Sequence, residues 1–221
     1  LVTFLASFAN SGGTLHVGHG AHNISISNSN FSFSNAFTRG GAIGGHADNA
    51  SIDNCIFNYT VAAGFVSSSL QVHGEGGAIY WQNANNFTVS NSKFLDLEAR
   101  ANGGAISLLN VSNSGIYNST FAGELSNRQG GSISWVNSTN ATIDSCSFSS
   151  SAASFAGGAI YLNNMDNTTI KNSKFNNTST PWGNGGAIFI NGNLTVDDCT
   201  FDDYSATEDY AGGIFMYVGT S

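Results

Sequence analysis

GNGGAIFINGN, residues 183–193, contains a Gly-Gly-Ala-Ile that the chain repeats in close copies from end to end. The copies read GGTLHV at Gly12, GGAIGG at Gly40, GGAIYW at Gly76, GGAISL at Gly103, GGSISW at Gly130, GGAIYL at Gly157, GGAIFI at Gly185 and GGIFMY at Gly212. Successive glycine pairs lie 28, 36, 27, 27, 27, 28 and 27 residues apart. A fixed period in this range is the mark of stacked repeats. Between the pairs a second pattern recurs: Ile or Val, any residue, Asn or Asp, Ser or Cys, any residue, Phe. It appears as Ile52-Asp-Asn54-Cys55-Ile-Phe57 and Val196-Asp-Asp198-Cys199-Thr-Phe201, and its copies end at Phe31, Phe57, Phe94, Phe121, Phe148, Phe175 and Phe201.

Side chains alternate across a strand. After each glycine pair, Ile79 and Trp81, Ile106 and Leu108, Ile133 and Trp135, Ile160 and Leu162 therefore share an inner face. Their neighbours point outward: first the small Ala78, Ala105, Ser132, Ala159 and Ala187, then Tyr80, Ser107, Ser134, Tyr161 and Phe189. In the second pattern the Ile or Val, the Ser or Cys and the Phe point inward, and the Asn or Asp occupies a turn. Asn tolerates the left-handed conformation, and its amide can bond the Asn stacked above it. Glycine at each corner fits where a Cβ has no room and where φ is positive. The fold expected is an all-β, right-handed parallel β-helix with about 27 residues per rung and about 8 rungs, forming one domain over residues 1–221. Parallel crossovers are overwhelmingly right-handed, which sets the hand. The one long spacing places an inserted loop at 61–75, whose Phe65 and Leu70 are candidates for a lateral contact.

The GGAI tetrapeptide paired with a Phe motif resembles the repeat of chlamydial polymorphic membrane proteins and related surface β-helices. That family has Asn three residues after the Phe, whereas here the position holds Ser34, Thr60, Leu97, Glu124, Ser151, Thr178 and Tyr204. The family's outer-membrane barrel has no counterpart in this chain. The resemblance implies surface display or adhesion and supplies no catalytic residues.

Only 9% of residues are charged, with 6 Lys+Arg against 14 Asp+Glu. Nothing in that balance neutralises phosphates, so nucleic acid is not an expected partner. No apolar run is long enough to cross a membrane as a helix. Cys55, Cys146 and Cys199 hold the same position in their rungs, three and two rungs apart. At roughly 4.8 Å per rung they are too distant to pair, so three buried free thiols are expected. Eight residues before each Phe of the series stands an Asn, and six of these open an Asn-x-Ser/Thr acceptor: Asn23, Asn49, Asn86, Asn140, Asn167 and Asn193. A column of N-linked glycans, and with it an extracellular or cell-surface location, is the expectation.

His16, His19, His22 and His46 read as solvated histidines of turns, and no metal or cofactor is expected. The acidic Asp202, Asp203, Glu208 and Asp209 lack the spacing of a defined calcium loop. Gly18-His19-Gly20 and Asp197-Asp198 resemble two signatures of polygalacturonases, in reversed order and without the basic triplet. The expected function is non-enzymatic: an extracellular structural β-helix forming a glycosylated surface fibre or coat, its copies stacked head to tail because neither terminus reads as a polar cap. An adhesin-like module gripping glycans or proteins through Tyr80, Tyr161, Phe189 and the inserted loop is the alternative. A polysaccharide-degrading enzyme is the lesser one.

Overall fold

A computed structural model describes residues 2–64, 73–207 and 212–217. Every strand pair is parallel and joins positions one repeat apart, and no helix occurs among the described residues. Each rung contributes four short segments: one after the glycine pair (Ile79–Asn85), one carrying the inward Ile or Val (Thr88–Ser90), one carrying the Phe (Lys93–Leu95) and one beyond it (Glu98–Ala99). Their pairing builds two sheets along the axis, one of 14 strands containing the Phe ladder and one of 12 containing the Gly-Gly-Ala-Ile ladder. This is the β-helix expected from the repeat, and the expected inner face is the core. Ile79, Trp81, Val89, Phe94 and their equivalents are at most 1% exposed.

Register is identical from rung to rung. Ile43, Ile79, Ile106, Ile133, Ile160, Ile188 and Ile214 pair in one row. Phe4, which the hexapeptide pattern does not include, heads a stack with Phe31, Phe57, Phe94, Phe121, Phe148, Phe175 and Phe201. Its rings lie 4.7–5.0 Å apart and within 15° of parallel. The two glycines of each corner do different things. The first adopts a positive φ, as Gly76 does at +69°. The second is excluded from bearing a side chain by the rung above: a Cβ on Gly77 would lie 1.9 Å from the Gly104 carbonyl oxygen.

Two expectations need correction. The small residues after the pair do not face solvent. Ala78, Ala105, Ser132, Ala159 and Ala187 are fully buried, because the chain turns at the glycines and lays them against the segment beyond the Phe. Thr60 and Glu124 of that segment are buried too; the Thr60 hydroxyl donates to the Gly77 carbonyl at 2.8 Å, and the Ser132 hydroxyl meets Glu124. The inserted loop is also narrower than 61–75. Val61–Ala62 pair with Asn35–Ala36 and Glu98–Ala99, and Glu75 bridges Arg39. Phe65 and Leu70 lie outside the described residues.

Candidate functional site

Bending at every glycine pair makes the outside of the sheet concave. The residue before each pair (Arg39, Glu75, Asn102, Gln129, Ala156, Asn184) accepts from the first glycine N–H of the preceding rung, at 2.9–3.0 Å, and so forms a continuous row. Facing it is the outward row of the next strand, His16, Gly44, Tyr80, Ser107, Ser134, Tyr161 and Phe189, in unbroken register. The two rows are the wall and floor of a groove parallel to the axis. This corrects the picture of Tyr80 and Tyr161 as projecting aromatics. They do leave the sheet on its outer side, but the wall leaves them only 4% and 8% exposed. Phe189 is half-buried and stacks between Tyr161 and Phe215 at 5.1 and 5.3 Å.

The groove deepens at its first rungs. A cavity of about 250 Å³ is lined by Ser11, His16, Thr38, Arg39, Gly45, His46, His73, Tyr80 and Gln82. A second of about 190 Å³ shares Arg39 and Tyr80 and runs on past Glu75, Asn102 and Ser107. Arg39 is clamped: its Nε is 3.4 Å from Glu75 Oε2, and its guanidinium carbon lies 4.8 Å above the Tyr80 ring. Burial pushes the Tyr80 phenol up to about 12, so it is a donor, and it donates to Gln82 Oε1 at 2.6 Å. The Gln82 amide nitrogen in turn lies 2.9 Å from His46 Nε2. An amide nitrogen can only donate, so Nε2 accepts and the proton of the neutral ring sits on Nδ1, which is buried without a partner. Burial first, then His19, His16 and Arg39, hold His46 below the usual histidine range, so the ring stays neutral near pH 7. These histidines are not solvated turn residues: His16 and His19 lie on the strand Leu15–His22, His46 on Ile43–Asp48, and His19 stacks on His46 at 4.1 Å. No group of three or more metal-ligating side chains forms among the described residues.

The six sequon asparagines are exposed. Five of them, Asn23, Asn49, Asn86, Asn140 and Asn167, take φ between 53° and 58°. Their amides form a ladder, with Asn49 donating to Asn23, Asn86 to Asn49 and Asn167 to Asn140 at 2.6–3.2 Å. Asn193 departs from the row: the left-handed residue there is Gly192, and Asn193 donates to Asp166. Cys55 and Cys146 are buried and free, and Cys199 is half-buried and free. Each thiol contacts the carbonyl two residues back, as the serines of the same row do. His19 and Asp197 stand six rungs apart, roughly 29 Å at the inter-strand spacing. The two polygalacturonase-like motifs therefore cannot share a cleft of the roughly 5–10 Å that a carboxylate pair needs.

The groove was not foreseen, although one sequence signal marks it. GGAIGG at Gly40 is the one copy with glycines at both positions after the Ile. Gly45 is required because a Cβ there would strike the Trp81 ring at 2.2 Å, and Gly44 leaves the floor open between His16 and Tyr80.

This architecture is that of a β-helical repeat protein. The chain belongs to the family described as the right-handed beta helix region, whose profile matches residues 67–221. Three solved structures are similar in fold. The A-module of the Azotobacter vinelandii mannuronan C-5 epimerase AlgE4 is 12% identical with a TM-score of 0.41, over 90% of this chain and 66% of that one. The Streptococcus pneumoniae surface protein and adhesin PfbA is 12% identical with a TM-score of 0.25, over 96% and 90% of the two chains. QnrB1, a plasmid-mediated fluoroquinolone resistance protein, is 13% identical with a TM-score of 0.21, over 78% and 83%. The chain thus spans about two thirds of the epimerase module, and these likenesses concern fold alone. A comparison with curated proteins gives no match.

Proposed function

We propose that the chain is a non-enzymatic structural β-helix displayed outside the cell, a glycosylated rod from which a surface fibre or coat is built. The observation that carries this reading is the unbroken axial register: eight stacked phenylalanines and the isoleucine row beside them make one straight packed core. The resemblance to chlamydial polymorphic membrane proteins supports a surface role. The sequon column supports a secretory route, since its asparagines face solvent. Copies of the chain stack end to end, because Leu5, Phe8, Met216 and Tyr217 on the two end coils are 50–67% exposed beside unpaired strand edges. Negative-stain microscopy of native material tests this. Rods or fibres are expected, and uniformly monomeric particles carrying an unmodified 23.0 kDa chain would overturn it. The adhesin reading has one observation in its favour, the polar cleft at the first rungs, where side chains rather than repeat geometry dominate.

A further inference from the structure

The chain is acidic, with a formal net charge of −8 and only 6 Lys+Arg among 221 residues. Against that background the 250 Å³ cavity is anomalous. Arg39 and three of the five histidines line it, and no carboxylate does. Glu75 belongs to the neighbouring cavity and takes Arg39 from that side, through Nε. A guanidinium has five N–H donors in a planar fork, suited to a carboxylate. Glu75 and the Tyr80 ring fix its orientation before any ligand arrives, which reduces the ordering cost of binding. His46 adds a neutral Nδ1–H that is buried and unpartnered, its tautomer set by the Tyr80–Gln82 relay. An orphaned buried donor costs about 1–3 kcal/mol, and such a cost points to a group that satisfies it. The floor is Gly44, which opens the space, and the edge of Tyr80, whose ring offers an apolar face.

We propose that this cleft is a binding site for a carboxylate-bearing small ligand of the size of one acidic sugar unit. Arg39 takes the carboxylate, and His46, Gln82 and His16 take the remaining oxygens. The site lies on the side of the cylinder, so it operates whether or not the chain assembles into rods, and its failure would leave the rod reading untouched.

The test uses the whole chain and four probes: glucuronate, its methyl ester, glucose and the plain dicarboxylate glutarate, each at millimolar concentration. Imidazole resonances of His16 and His46 are followed by NMR, and affinity by calorimetry. Glucuronate is expected to shift both histidines, with the methyl ester and glucose silent. If glutarate also shifts them, the carboxylate alone is recognised; if it does not, the sugar ring contributes. Both results support the site. Arg39→Gln is expected to weaken glucuronate by roughly tenfold or more, since it removes a charge-assisted contact. Lys174→Gln, an equal change of charge on an exposed strand residue, is expected to leave binding unaltered. Should Arg39→Gln fail to melt cooperatively, His16→Gln and the wild-type resonances decide the matter. No histidine shift with glucuronate, an equal response to the methyl ester, or undiminished affinity in folded Arg39→Gln would overturn the proposal.

Discussion

Glu124 is a carboxyl group placed where the repeat has hydroxyls or aliphatics. It is 1% exposed, its Oε2 accepts from Ser132 at 3.0 Å and Ser151 at 3.1 Å, and its Oε1 has no partner. Burial outweighs the two serine bonds and pushes its pKa up from 4.5 to about 8. A folded-state value above the unfolded one means the native chain holds the extra proton. This contribution to stability is full below the ordinary carboxyl range and is lost as pH rises towards 8. The loss is about 1.4 kcal/mol per pH unit inside that window. Glu124→Gln should flatten the wild-type decline between pH 5 and pH 8 in chemical denaturation, and an identical slope in the variant would refute the assignment. The Ser132 that replaces the usual Ala of Gly-Gly-Ala-Ile is thus explained by its partner one segment away. The sequence showed the departure without the contact, because a 27-residue period does not say which side chains of one rung meet across its interior. The second glycine of each pair was legible as a position of crowding, and Gly104→Ala is expected to cost more than ~4 kcal/mol, near the upper end for single substitutions. Its Cβ would meet the Gly131 carbonyl oxygen at 2.0 Å, and a backbone atom cannot rotate away. An apparent Tm lowered by only a degree or two would contradict this.

Ladders are the elements of this fold, and each obeys a rule set by the residue it repeats. In the phenylalanine ladder every interior ring contacts one above and one below. Phe121→Ala removes a fully buried side chain from mid-stack and should cost roughly 3–5 kcal/mol, against much less for Phe4→Ala, because Phe4 is 37% exposed on the end coil. Equal losses at the two sites, measured by denaturant midpoint, would show that the stack does not act as a column. In the serine and cysteine ladder, burial pushes the Cys146 thiol up to about 12 and raises Cys55 and Cys199 as well. Because the thiolate is the nucleophile, the native protein should resist alkylation, with the half-buried Cys199 modified first and Cys146 last. The asparagine ladders were legible in part. The row at Asn54, Asn91 and Asn118 could be read because it falls inside the Phe motif, and all three are left-handed. The rows at Asn83, Asn110, Asn137 and Asn164, and at Phe33, Tyr59, Asp96 and Ser150, are left-handed too. The first sits in a segment with no fixed neighbours to flag it. The second carries a different residue in almost every rung, so only the backbone repeats.

At the scale of the whole molecule, each rung touches only its neighbours, so stability is a sum of rung and interface terms along one axis. The fold class was readable from the sequence for the same reason: one rung's pattern, repeated, is the fold. The groove was not readable, because its wall and floor come from two segments flanking the glycine corner, and their approach depends on how sharply that corner bends. The axial arrangement also makes the end coils different in kind from the interior. The first coil exposes Val2, Leu5 and Phe8 at 52–67%, and the last exposes Met216 and Tyr217 at 50–54%. Unpaired parallel edges of this sort invite another edge, and a head-to-tail contact between identical chains does not close on itself, so it propagates. The purified chain is therefore expected to associate with rising concentration into species whose length grows while their width stays that of one cylinder. Leu5→Lys and Phe8→Lys together place two charges on the first coil's edge and should abolish this association. Such substitutions are a usual way of blunting an exposed strand. They should leave the thermal transition of the interior rungs nearly unchanged, since no interior contact is touched. Sedimentation velocity on the two proteins separates the outcomes: association in the wild type and none in the double variant supports end-to-end stacking. A wild-type chain that stays monomeric at high concentration, or a variant that associates equally well, would rule it out.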